Sequence, residues 1–136
     1  MTRSRDAAEA AQDPIRALAV NEIQQFDEEY AAAARRANEE AKFDIVEIHG
    51  AHGYLVGPFL SSPVNDRTDE YGGSIESRAG FCLKVADALI EVVGAGYVAI
   101  RFSQYASFQS TEGVNADTLS IVSSGYVLSE IERRAN

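Results

Sequence analysis

The sequence predicts an α/β chain in the order helix, strand, helix, strand, helix, with its two strands parallel. Three observations carry that reading. Segments with apolar residues every three to four positions alternate with two short apolar runs, Asp44-Ile45-Val46-Glu47-Ile48 and Tyr97-Val98-Ala99-Ile100-Arg101-Phe102. Each run is followed by a long polar loop. Right-handed crossovers through the intervening helix make such strands parallel neighbours and put both loops on one rim.

Composition sets the outer bounds. At 136 residues, 46% hydrophobic and 24% charged, the chain suits one domain with a real core. Twelve Lys and Arg against 21 Asp and Glu give a formal net charge of -9. That balance repels phosphate backbones and anionic lipid, so neither nucleic acid nor a membrane surface is expected as a partner. Cys82 is the only cysteine, which excludes a disulfide framework within the chain and favours a reducing setting. Met1-Thr2-Arg3-Ser4-Arg5 leads into Ala and Glu rather than an apolar segment, and no run approaches the roughly 18 apolar residues of a span. A soluble, cytoplasmic protein is the expectation.

Taken in order, residues 1–13 are polar and Ala-rich and read as a flexible lead-in, with Pro14 opening the domain that runs to residue 136. Ile23, Phe26, Tyr30, Ala33, Ala34, Ala37 and Ala41 define an amphipathic helix over about 20–41. Its start is weakly marked, since Ala19 and Val20 cannot cap and only Asn21 carries an acceptor. Residues 44–48 read as a buried strand, and residues 49–73 as one long loop. Ser74 caps the next helix, whose apolar face is Phe81, Cys82, Val85, Leu89, Val92 and Val93, and Gly94 and Gly96 end it. The second strand follows, then a loop over 103–115 and a last helix over about 116–134 with Leu119, Val122, Tyr126, Val127 and Ile131 inward. Two parallel strands cannot close a barrel and are marginal alone, so further strands or several copies are needed.

The first strand leads into His49-Gly50-Ala51-His52-Gly53-Tyr54, two imidazoles and a phenol at the rim where such folds keep their chemistry. On their own these residues admit plain readings. The histidines suit a structural role, or metal ligation for which no third ligand is indicated; Tyr54 can fill space at the loop base; Arg101 can pair with Glu47 on the neighbouring strand. Asn65, Arg67, Asp69 and Tyr71 read as a hydrogen-bonded loop scaffold, Gly72-Gly73-Ser74 as a turn with an N-cap, and Cys82 as a small core residue.

The whole run FDIVEIHGAHGYLVGPFLSSPVNDRTDEYGGSIESR, Phe43 to Arg78, resembles the Old Yellow Enzyme family of FMN-dependent ene-reductases, and the likeness continues through Val98 to Ser103. It extends over about residues 14–134. The resemblance implies a partial TIM (βα)8 barrel, the third helix through the fifth helix with the fourth and fifth strands; a complete barrel takes about 250 residues, so about half of one is expected to be missing. It implies His49 and His52 as the pair holding the carbonyl oxygen of an α,β-unsaturated substrate, Tyr54 as proton donor and Arg101 as a flavin-binding residue. FMN is the implied cofactor and NAD(P)H the electron donor. The family's ring contacts from the first strands and its phosphate seat at the last two fall outside the matched run. Gly57-Pro58 and Gln104 depart from the pattern. The enzyme reading therefore needs a homo-oligomer or a companion chain to complete the barrel, and the alternative is an inactive truncated fragment serving as a ligand-binding or protein-interaction module.

Overall fold

The computed structural model describes Gln12, residues 16–103 and residues 121–135. The lead-in apart from Gln12, the Pro14 boundary, and the loop and helix start at 104–120 lie outside the described residues. Within them the order is α1 (Val20–Arg35), β1 (Val46–His49), α2 (Val56–Leu60), α3 (Ile75–Val93), β2 (Val98–Arg101) and α4 (Ile121–Ala135).

The strands form a two-stranded parallel sheet, paired Val46 to Val98, Glu47 to Ala99, Ile48 to Ile100 and His49 to Arg101. Side chains alternate across a strand, so one face carries Val46, Ile48, Val98 and Ile100 and the other Glu47, His49, Ala99 and Arg101. The first set packs into the core, where Ile48 is fully enclosed. The helices cover that face. Phe81 on α3 is the hub of the layer: it meets Phe26 and Tyr30 of α1 edge-on at 6.3 and 6.5 Å and Phe59 of α2 at 4.6 Å. Removing a fully buried aromatic of this kind costs roughly 3–5 kcal/mol.

Three details depart from the sequence reading. The long loop contains α2, because Pro58 sits in the helix's first turn, where its missing N–H has no intrahelical acceptor to lose, and Val56, Phe59 and Leu60 are buried against the core. Helix α1 is capped from inside rather than by Asn21: the Glu22 carboxylate accepts from the Ala19 amide at 2.7 Å while the Arg16 guanidinium grips it at 2.5 and 2.6 Å. Its pKa falls to about 2, mainly through Arg16 and then through that amide. On α4, Val122 is exposed and Ser123 and Ser124 are buried beside Val127, since small residues let α4 approach α3 closely. Beyond Arg35 the chain continues as a π-helical turn, Arg36–Glu40, and reverses at Lys42 with φ +61°. Ser74 caps α3 as expected, accepting from the Ser77 amide at 3.3 Å.

Candidate functional site

The rim is assembled by the register of the two strands. His49 ends β1 opposite Arg101 at the end of β2, and both side chains lie on the face turned away from the helices. The ladder runs one step further: the Gly50 amide donates to the Arg101 carbonyl at 3.0 Å. A Cβ at position 50 would lie 3.1 Å from that oxygen, so the strands approach too closely here for a side chain without adjustment.

After Gly50 the chain turns sharply. His52 and Gly53 take φ +53° and +70°, and the His52 amide donates to Ser103 Oγ at 2.8 Å, tying the turn to the end of the second strand. The turn brings the His49 ring within 6.0 Å of the His52 ring and 4.9 Å of the Tyr54 ring, centroid to centroid. The three residues singled out for carbonyl recognition and proton donation thus form one cluster. His49 is exposed, His52 and Tyr54 half-buried.

Arg101 is held on the same face. Its Nε and Nη2 donate to the two Glu47 carboxylate oxygens at 2.7 and 3.2 Å, a bidentate pair that raises the guanidinium's pKa, first by hydrogen bonding and then by charge. The ion pair expected from the sequence is therefore present, and it directs the fork without engaging Nη1. A guanidinium whose Nη1 has no partner among the described residues, beside imidazole and phenol groups, is a donor set that fits the anionic edge of a reduced flavin ring.

Behind the rim, residues 59–78 are locked. The Asn65 amide nitrogen donates to the Phe59 and Tyr71 carbonyls at 2.7 and 2.8 Å, and its oxygen accepts from the Arg67 amide at 3.1 Å. Arg67 forks onto Asp69, whose Oδ1 also accepts from the Tyr71 amide at 3.1 Å. Lys84 donates to the Tyr71 hydroxyl at 2.7 Å. Arg78, which the sequence reading did not single out, is buried and donates to the carbonyls of Leu60 and Gly73. Its signal was an arginine on the same helix face as Ala79, Phe81 and Cys82. Ser103 was likewise missed as the anchor of His52, although it closes the Arg-Phe-Ser run.

Between this scaffold and the segment before α1 lies an open cavity of about 370 Å³, lined in part by Arg16, Leu18, Tyr54, Phe59 and Asn65. Its lining includes Tyr54 and neither histidine. Among the described residues no group of three or more His, Cys, Asp and Glu is arranged to hold a metal, and no helix is long and apolar enough to cross a membrane.

Residues 2–136 match the profile of the NADH:flavin oxidoreductase / NADH oxidase family. Enoate reductase 1 of Kluyveromyces lactis is 43% identical over 131 residues, 96% of this chain and 32% of the relative. A probable NADPH dehydrogenase of Candida albicans is 48% identical over 135 residues, 98% of this chain and 32% of its own length. The crystal structure of Old Yellow Enzyme from Pichia sp. AKU4542 superposes with a TM-score of 0.89 at 49% identity, covering 96% of this chain and 34% of that one. Morphinone reductase in complex with tetrahydroNAD superposes with a TM-score of 0.79 at 41% identity, covering 90% and 32%. These neighbours are TIM barrels, and the fold is a partial α/β barrel. The chain spans about a third of the length of the curated relatives it matches, rather than the half expected from barrel size.

Proposed function

The chain belongs to the NADH:flavin oxidoreductase / NADH oxidase family, and from that premise we propose that it forms the substrate-side segment of an FMN-dependent ene-reductase. The reaction is reduction of the C=C bond of an α,β-unsaturated carbonyl compound, with NAD(P)H as electron source. Residues 14–136 serve as the barrel segment and 1–13 as a lead-in. A cytoplasmic location goes with this reading and with the buried lone thiol of Cys82.

The observation that carries it is the cluster of His49, His52 and Tyr54 at the same strand end as Arg101. When bound, FMN supplies the hydride. His49 and His52 hold the carbonyl oxygen of the enone with N–H donors, where negative charge gathers as the β-carbon is attacked. Losing one such donor raises a barrier by about 2.7–4 kcal/mol. Tyr54 delivers the proton to the α-carbon. Arg101, oriented by Glu47, holds the flavin edge.

The test places this chain in the Pichia relative in place of the matched third and follows flavin absorbance and enone reduction. The graft is expected to be yellow and active. Tyr54→Phe should lower turnover by about a hundredfold with flavin content unchanged, and His49→Ala should weaken enone binding as well. A colourless graft, or a Tyr54→Phe variant with full turnover, refutes the proposal.

A further inference from the structure

The cavity beside Tyr54 has no part in the chemistry proposed at the strand ends. Its volume of about 370 Å³ lies in the range of small-molecule sites, and Tyr54 links it to the two histidines, which do not line it. Leu18, Leu55, Pro58, Phe59 and Val64 contribute its apolar wall. Val64 is 47% exposed, a large apolar side chain left in water at the edge of an apolar hollow. Pro58 belongs to the Gly57-Pro58 pair that departs from the family pattern, so this patch of wall is not carried over by the resemblance. The polar lining is largely engaged already. Both Asn65 amide hydrogens go to the Phe59 and Tyr71 carbonyls, and the Asn65 oxygen accepts from the Arg67 amide. Arg16 forks onto Glu22 and Arg67 onto Asp69, so each cation is neutralised by its own carboxylate. Asp66 also lines the cavity and makes no ion pair among the described residues.

We propose that this cavity is a subsite for a neutral apolar substituent on the α-carbon of the enone. Its place follows from the reaction. Tyr54 gives its proton to that carbon, so a group attached there starts beside Tyr54 and runs into the hollow that Tyr54 lines. An alkyl chain then meets Leu18, Pro58, Phe59 and Val64 and leaves water, which is the driving force for its binding. A chain ending in a carboxylate meets two cations that are already paired and one carboxylate, Asp66, that is not, and like charges repel. The cavity therefore selects α-alkyl enones over their anionic counterparts. What the alkyl group is attached to rests on the functional reading above; the apolar seat itself does not.

The experiment titrates the chain alone with cyclohexenones carrying a methyl, a pentyl or a carboxypentyl group on the α-carbon, and follows backbone amide shifts by NMR. Full burial of a methylene is worth about fourfold in affinity; an open cavity covers it on one side, so four added methylenes should tighten binding about fifteenfold. The shifts should map to residues 53–67. The carboxypentyl compound should bind more weakly than the pentyl one, and Asp66→Asn should narrow that gap. Val64→Asp should remove most of the pentyl advantage, whereas Leu128→Asp, on the exposed side of α4, should preserve it. Both substituted residues are exposed, so circular dichroism of each variant should match the wild type. In the Pichia graft the pentyl advantage should reappear in KM. Equal affinity for methyl and pentyl compounds, shifts that map elsewhere, or a pentyl advantage that survives Val64→Asp overturns the inference. A chain that prefers pentyl beside a colourless graft upholds the apolar seat and counts against the functional reading; an active graft indifferent to chain length does the reverse.

Discussion

Asn65, Arg67, Asp69, Tyr71 and Arg78 bond almost wholly to one another and to the backbone between Phe59 and Gly73, while His49 and Arg101 lie on the sheet face turned away from the helices, held by an exposed ion pair and by ring contacts. The two regions are adjacent in the fold, and Tyr54, Phe59 and Asn65 line one cavity. The loop behind the rim is locked by many short hydrogen bonds; the rim side chains are held by one exposed ion pair and by ring contacts. Positioning and chemistry have thus been built with different degrees of independence.

Breaking the scaffold should produce the largest effect on stability. A Cβ at position 72 would fall 1.9 Å from the Arg67 carbonyl oxygen, so Gly72→Ala must open the loop. It should cost about 3 kcal/mol in urea unfolding, and an unchanged midpoint would show that the loop is not closed as described. Asn65→Ala comes next. It leaves two carbonyls and an amide without their partner, for a loss of about 2 kcal/mol in the same measurement.

A smaller, pH-dependent effect belongs to Asp69. The Arg67 hydrogen bond holds its carboxyl below the ordinary 3.8, with the Tyr71 amide contributing. A carboxyl depressed in the folded state stabilises above its unfolded pKa and stops doing so as pH falls through the folded one. The Tm gap between wild type and Asp69→Asn should therefore be widest at neutral pH and narrow below about pH 4; a gap constant with pH contradicts the ion pair. Smallest of all should be Arg101→Ala, which removes an exposed pair and leaves the Tm of the chain unchanged. A drop as large as that of Asn65→Ala would erase the distinction between scaffold and rim.

Much of this was legible in the residues. The short apolar run at 44–48 announced β1, although only Ile48 of it is buried and Ile45 is exposed; the polar series from Asn65 to Tyr71 announced a bonded loop, and Glu47 was identifiable as the partner of Arg101. Cys82 proved the small core residue it resembled, enclosed by apolar neighbours that push its thiol up to about 12. What escaped was set by tertiary packing. Gly57-Pro58 looks like a helix breaker until Val56, Phe59 and Leu60 have a core to enter. Ser123 and Ser124 are polar by type, yet it is their size that turns them toward α3. Arg78 reads as a surface cation unless the carbonyls of Leu60 and Gly73 are known to converge on it.

The turn at His52 carries a consequence for how this site can vary. A left-handed backbone, φ +53°, is a conformation that Asn, Asp and His enter far more readily than other side chains. A carbonyl-holding role further demands an N–H, which an ionised Asp lacks. His and Asn satisfy both conditions most readily, although Lys42 of this same chain also takes a left-handed φ of +61°. The backbone acts as a filter on the residue alphabet at position 52, so under the proposed role a torsion angle narrows the choice of donor before any substrate arrives.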